Sequence, residues 1–233
     1  MQKEAFKLLH DSESSWWYRG RALAVKSVLD RFLCKGETIL DFGAGFGGMR
    51  NLLSAYGEVS AFEPEPEARA IAKTRGYKRD FDSAEDFFSQ SEKFSGTAIF
   101  DVLEHMDNDS NFLLRIKNNI KDKGFLIITV PAHKWLWGKH DETHYHKRRY
   151  SEGEIKKLLE RTGFSAEYVS YWNALLLLPA VIVRFLGGTG ESSFSMPKIL
   201  DAIFFAVLYI ESKILRFSKL PFGMSLVIFA RKK

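Results

Sequence analysis

One cysteine, Cys34, stands in 233 residues, so neither an intramolecular disulfide nor an all-cysteine metal site can form, and a reducing compartment suits the chain. Long uninterrupted apolar runs are missing too. The two greasiest stretches, "ALLLLPAVIVRFLGG" and "PKILDAIFFAVLYIESKILRFSKLPFG", are interrupted by Pro179 and Arg184 and by Asp201, which argues against a membrane span. The segment "MQKEAFKLLHDSESS" carries scattered charge and no apolar centre of leader length, which predicts a cytoplasmic protein. No repeat or low-complexity tract is visible, and no RNA-binding module accompanies the basic residues, so nucleic acid is not an expected partner. What is present is ordinary for a globular chain: 45% hydrophobic and 27% charged residues, which excludes wholesale disorder. The net charge of +5 suits an anionic surface.

Between residues 37 and 130 short β-branched or aromatic runs alternate with helical patterns, the signature of βαβ units around a parallel sheet. "ETILDFG", "EVSAFEP", "GYKRDF", "GTAIFDV" and "GFLIITV" read as strands. "GGMRNLLSAYG", "PEARAIAKTRG" and "NFLLRIKNNIKDKG" read as the helices among them. Ser151 and Glu154 form a capping-box pattern before "IKKLLERTG". "FSAEYVSYW" and "SLVIFARKK" alternate as strands with nearly fifty residues between them.

The stretch "DFGAGFGG" ends the first strand and opens a helix, where glycines let a ligand approach the backbone at a helix N-terminus. Gly43, Gly45 and Gly48 also satisfy the dinucleotide pattern, with Glu63 placed to take ribose hydroxyls. A nicotinamide-dependent oxidoreductase therefore stays open at this point. Asp41 weighs against it, because a carboxylate there would crowd a pyrophosphate. An ammonium-bearing ligand without phosphate, such as S-adenosylmethionine, would welcome the acid.

At these residues the chain resembles the class I S-adenosylmethionine-dependent methyltransferases. "ILDFGAGFG" is similar to their first motif at Asp41, Gly43, Gly45 and Gly47, and "IFDVLEHMDND" to the Asp-Val-Leu-Glu-His segment of a branch that includes ubiquinone-biosynthesis enzymes. The resemblance implies an α/β, Rossmann-like fold: a seven-stranded, mostly parallel sheet with an antiparallel last strand and helices on both faces. It implies that Asp41, Gly43, Ala44 and Gly45 face the methionine end of the cofactor and that Glu63 holds the ribose. Asp82 or Ser83 would lie beside the adenine, and Phe100 and Asp101 near the sulfonium. "SSWWYRGRALAVKSVLDRF" resembles an opening helix in which Arg21 meets the cofactor carboxylate.

The loop "VPAHKWLWGKHDETHYHKRRYS" holds four of the six histidines and follows the fifth strand, at the sheet edge where ligands of such folds bind. It resembles a block found in methyltransferases of lipid-linked glycan and cell-envelope pathways, at His140, Asp141, Glu142, His146, Arg148, Arg149 and Tyr150. Methylation of a hydroxyl needs proton removal, for which His105, His140 and His146 are the candidate bases. Arg148 and Arg149 can fork onto an acceptor anion, with Trp137 and Tyr150 beside them. Metal ligation by His140, Asp141, His144 and His146 is weighed and not expected, because the four crowd one short loop without the usual spacing.

In this fold the last two strands usually form a tight hairpin, whereas here residues 174–222 intervene as a hydrophobic helical insertion into a single domain spanning 1–233. Its apolar residues and the cations Lys213, Arg216 and Lys219 suit a peripheral membrane contact at the inner face of the membrane; a lid and a homodimer contact are the other choices. The expected activity is methyl transfer to oxygen of a lipid-linked or amphipathic small-molecule acceptor. A non-catalytic membrane-binding protein that keeps the fold is a further alternative.

Overall fold

The computed structural model describes residues 13–179, 181 and 197–233. Helix α1 (Trp16–Phe32) leads into a seven-stranded sheet built from β1 (Glu37–Phe42), β2 (Gly57–Phe62), β3 (Asp80–Phe81), β4 (Phe94–Phe100), β5 (Ile120–Pro131), β6 (Phe164–Trp172) and β7 (Ser225–Lys232). The strand order is β3-β2-β1-β4-β5-β7-β6. The pairs among β1 to β5 are parallel, and β7 runs antiparallel to both β5 and β6. The expected α/β architecture with an antiparallel last strand is therefore the observed one. Residues 125–130 of β5 are fully buried, as a continuous apolar run in the middle of a two-sided sheet must be.

Helices cover both faces. On one, Phe87 of α4 (Ala84–Ser89), Leu113 and Ile116 of α5 (Asp109–Asn118) and Leu158 of α7 (Glu152–Arg161) pack with Leu40, Ile99 and Ile128 of the strands. On the other, Val25 and Leu29 of α1, Leu53 of α2 (Arg50–Leu53) and Leu208 and Leu215 of α8 (Lys198–Leu215) pack with Ile39, Ile127 and Phe229. Helix α3 (Pro66–Lys73) buries Ala68 and Ala72, and α6 (Lys139–Thr143) lies in the histidine-rich loop. Ser151 and Glu154 form the expected capping box.

Three elements differ from the sequence patterns. The helix expected over "GGMRNLLSAYG" is one turn, because Gly47 and its neighbours form the loop itself. "GYKRDF" contributes only Asp80 and Phe81 as a strand. The helix through "NFLLRIKNNIKDKG" stops at Asn118, and Ile120 pairs with Phe94 instead, so pairing at the sheet edge overrides the helical pattern.

The strand β6 and its partner β7 are joined through α8, which packs against α1 across Gly20. A Cβ there would sit 2.1 Å from Leu208 Cδ1, so only glycine permits this approach. Two acids of α8 clamp the insertion to the domain. Asp201 accepts from the Trp16 amide at 2.7 Å and from the Arg19 guanidinium, at the positive end of α1. Glu211, 1% exposed, accepts from the amides of Asn173, Ala174 (2.8 Å) and Leu175 (3.2 Å), where the chain leaves β6. Asp201, read from the sequence as an interruption of a greasy helix, is thus a fastener. Most of the run at 174–188 lies outside the described residues. Among those described, no helix is long and apolar enough to cross a membrane.

Candidate active site

The C-terminal ends of β1, β2 and β4 meet at one edge of the sheet, and the loops leaving them carry the polar groups. Gly43 turns at φ +76°, and a Cβ on it would come within 2.5 Å of Val102. The Gly43 and Ala44 amides donate to the Phe62 carbonyl at 2.8 and 3.1 Å, which ties the loop to β2. Glu63 then accepts from the Gly45 amide at 2.7 Å and from the Glu65 amide at 2.9 Å. Space beside Gly45 is open: a Cβ built there meets nothing within 4 Å. Asp41 is 1% exposed and accepts a hydrogen bond from the Tyr77 hydroxyl at 2.8 Å. Burial pushes its carboxyl up to about 6, against the pull of Tyr77 and Arg21.

These observations fit S-adenosylmethionine. A buried carboxylate short of countercharge, an acid at the end of β2 and open backbone at Gly45 are what a cationic, phosphate-free nucleoside needs. Tyr77 escaped the sequence reading because it lies in an irregular loop before β3, which only the sheet brings to β1.

At the end of β4, Asp101 adopts φ +54°, a left-handed conformation that Asp tolerates better than most residues. Its carboxylate accepts from the Thr129 hydroxyl at 3.1 Å and pairs with Arg21. Arg21 was expected to meet the cofactor carboxylate; here its guanidinium lies against Asp101 and near the rings of Trp17, Tyr18 and Phe100. A lone hydroxyl in "FLIITV" was the available signal for Thr129. Of the adenine-side candidates, Ser83 uses its hydroxyl to cap α4, accepting from the Asp86 amide at 3.0 Å, while Asp82 is exposed.

The histidine loop folds back onto the turn after β4. His105 and His146 lie edge to face with ring centres 4.8 Å apart, and His140 stands 5.9 Å from His146. All three candidate bases therefore share one corner of the site. Burial, then the charge of His146, lowers His105 to about 4; burial, then His144 and His146, lowers His140 to about 3. Both imidazoles are neutral at pH 7. Beneath them lies Glu104, fully buried, with its carboxyl pushed well above the usual range by burial and then by Asp101.

The basic residues of the loop do not form the expected open anion clamp. Arg149 is 8% exposed and donates to Asp141 at 2.7 Å and to the Ala132 carbonyl at 3.0 Å. Arg148 pairs with Asp109 at 3.0 Å and donates to the Asp107 carbonyl at 2.9 Å. Tyr150 is buried, and its hydroxyl donates to Asp109 at 3.1 Å. Each donor is satisfied inside the fold because the loop must bury Asp141 and hold itself against the turn after β4. Trp137 remains exposed.

The sequence and the fold agree with known proteins. The family described as "Methyltransferase domain" matches residues 16–169. N-methyltransferase 4 of Papaver somniferum is 30% identical over 111 residues, 42% of this chain and 31% of that protein; the chain thus spans about a third of that curated relative. Among solved structures, the magnesium protoporphyrin IX methyltransferase of Synechocystis PCC 6803 with bound S-adenosylhomocysteine aligns with a TM-score of 0.56 at 15% identity, over 92% of this chain and 84% of that one. A SAM-dependent methyltransferase of Archaeoglobus fulgidus aligns at 0.57 and 17% identity, over 89% and 93%. The plantazolicin methyltransferase, bound to a substrate analogue and S-adenosylhomocysteine, aligns at 0.61 and 16% identity, over 99% and 90%.

Proposed function

This chain belongs to the methyltransferase domain family, and from that premise we propose that it is an S-adenosylmethionine-dependent methyltransferase that methylates an oxygen of an amphipathic, lipid-linked acceptor presented at the inner face of a membrane. The oxidoreductase reading falls away with the family. The observation that carries the acceptor class is α8: Ile199, Ile203, Ile210 and Ile214 stay exposed while Leu208 and Leu215 are buried. Phe217 is 81% exposed beside the exposed cations Lys213, Arg216 and Lys219. An apolar face bordered by basic residues suits an anionic lipid surface. A second copy of the chain is the other occupant this face would accept.

When bound, S-adenosylmethionine supplies an electrophilic methyl group on a positively charged sulfur. Asp41 and Glu63 would hold the cofactor, the first by charge and the second through its carboxylate oxygens. Asp101, locked by Arg21 and Thr129, shapes the floor beside the reacting centre, and Phe100 excludes water there. The polar corner of Glu104, His105 and His146 would receive the acceptor oxygen, with His140 behind it. The neutral imidazoles of His105 and His140 can accept the hydroxyl proton, although bases this weak contribute less at pH 7 than a histidine near 6.5.

The direct test supplies methyl-labelled S-adenosylmethionine and a membrane lipid extract to the enzyme on anionic vesicles. Label in the organic phase, on an oxygen by mass spectrometry, is expected. Label confined to water-soluble products overturns the acceptor class, and label on nitrogen or carbon overturns the chemistry.

A further inference from the structure

Glu104 sits at the bottom of the histidine corner with an unresolved electrostatic problem. It is 0% exposed, and neither carboxylate oxygen has a hydrogen-bond partner. A buried carboxylate without partners costs several kcal/mol or takes up a proton, unless a cation joins it. Two imidazoles stand over these oxygens; Arg21 and Arg149 act on them by charge but spend their hydrogen bonds on Asp101 and Asp141. His146 Nε2 is 4.0 Å from Glu104 Oε1, and one ligand atom from each of Glu104, His105 and His146 lies within 4.8 Å of the others.

Both imidazoles are oriented from behind. His146 Nδ1 bonds to Asp141 at 2.9 Å, which turns Nε2 toward Glu104. Asp141 is itself fixed by Arg149 and by the Gly138 amide at 2.9 Å. One ring nitrogen of His105 is bonded to the Tyr145 backbone, so the other is available. A carboxylate behind an imidazole that faces a further carboxylate is the arrangement that sets the tautomer of metal-ligating histidines.

We propose that Glu104, His105 and His146 form a binding site for one divalent first-row transition metal of the zinc and cobalt class. Two nitrogens and one oxygen favour such an ion over magnesium or calcium, which prefer all-oxygen sets. Ligand atoms around such an ion stand about 3.4 Å apart when each bond is about 2.1 Å, so the corner closes by roughly 1 Å as the ion enters, within the reach of side-chain rotation. The three ligands leave at least one position open. Resting on the oxygen-acceptor reading, that position receives the acceptor hydroxyl and lowers its pKa. The proton leaves to solvent, because with the ion bound His105 and His146 are ligands and no longer serve as bases. The oxygen lone pair then forms the O–CH3 bond as the S–CH3 bond breaks, its electrons staying on sulfur. This site differs from the one weighed within the loop, because Glu104 and His105 come from the turn after β4 and only the fold joins them to His146.

The experiment titrates the metal-free protein with Co2+ and follows the visible d–d bands, with S-adenosylhomocysteine binding measured in parallel to show that each variant is folded. Wild type should bind one Co2+ per chain with histidine-type bands and release it to Zn2+ but not to Mg2+. Glu104→Gln and His146→Ala should each weaken binding at least ~100-fold, Asp141→Asn about 10-fold to 100-fold, and His144→Ala should leave it unchanged. Absence of stoichiometric binding in wild type, or full binding by Glu104→Gln, overturns the site. Loss of binding in His144→Ala places the ion on the loop histidines and overturns it as well. The readout needs neither acceptor nor turnover, so a failure here is distinct from a failure of the acceptor reading.

Discussion

Two regions of the molecule bury acids, and they resolve the burden differently. Around the glycine loop, where space is open beside Gly45, Asp41 and Glu63 are buried, one with a tyrosine hydroxyl and the other with two backbone amides. Around α8, buried Glu211 accepts from backbone amides, and the partly exposed Asp201 accepts from the Trp16 amide and pairs with Arg19. The comparison teaches that burial of a carboxylate does not by itself identify a site. What matters is whether the chain completes its coordination. Glu211 is complete, Asp41 is partly so, and Glu104 has no hydrogen-bond partner at all.

The largest effect that would break the comparison is at Glu211. Its removal in Glu211→Ala leaves three amides without their acceptor, and a loss of about 3 to 5 kcal/mol in urea unfolding is expected. Glu211→Gln should fall between. A loss below about 1 kcal/mol for the alanine variant means that α8 is not fastened here.

Asp41 should behave in the opposite sense. Its folded pKa of about 6 lies above its ordinary 3.8, so the ionised acid costs stability at pH above about 6, and the cost disappears as pH falls toward 4. Asp41→Asn should therefore stabilise the ligand-free protein at pH 7 by up to about 3 kcal/mol, while weakening S-adenosylhomocysteine roughly 10-fold. In wild type, that affinity should decline as pH drops below about 6, because the ligand's ammonium favours the ionised acid. Calorimetry at pH 5 and pH 7.5 checks this, and equal affinities at both would remove Asp41 from the ammonium contact.

The smallest change in stability is expected on the outer face of α8. Ile203→Glu with Ile210→Glu should alter unfolding by about 0.5 kcal/mol or less, since both side chains are half exposed or more. Flotation with anionic vesicles should nevertheless be lost. Retained flotation would assign the face to something other than lipid, and a monomer where wild type is a dimer would assign it to a second copy.

The alternation of strands and helices, the glycine turn and the acid after β2 were legible because their signals are local: a strand pattern of period two, glycines at a strand end and an acid at a fixed distance. Arg148 and Arg149 misled for the same reason. A pair of arginines in a ligand-side loop looks available until the fold brings Asp109 and Asp141 to them. Tyr77 and the fastening role of Asp201 were invisible, since each depends on a partner far along the chain; Trp16 and Asp201 are 185 residues apart.

By itself, then, the sequence determined the fold class and the edge of the sheet where a ligand is expected, because backbone conformation and hydrophobic periodicity are written in neighbouring residues, and its resemblance to class I methyltransferases supplied the cofactor. Only the tertiary structure decided which polar groups are satisfied and which wait for a ligand. That depends on the dielectric and the hydrogen-bond partners each side chain finds after burial, and Glu104, one acid in an unremarkable "LEH", acquires its meaning only when His146 is folded over it.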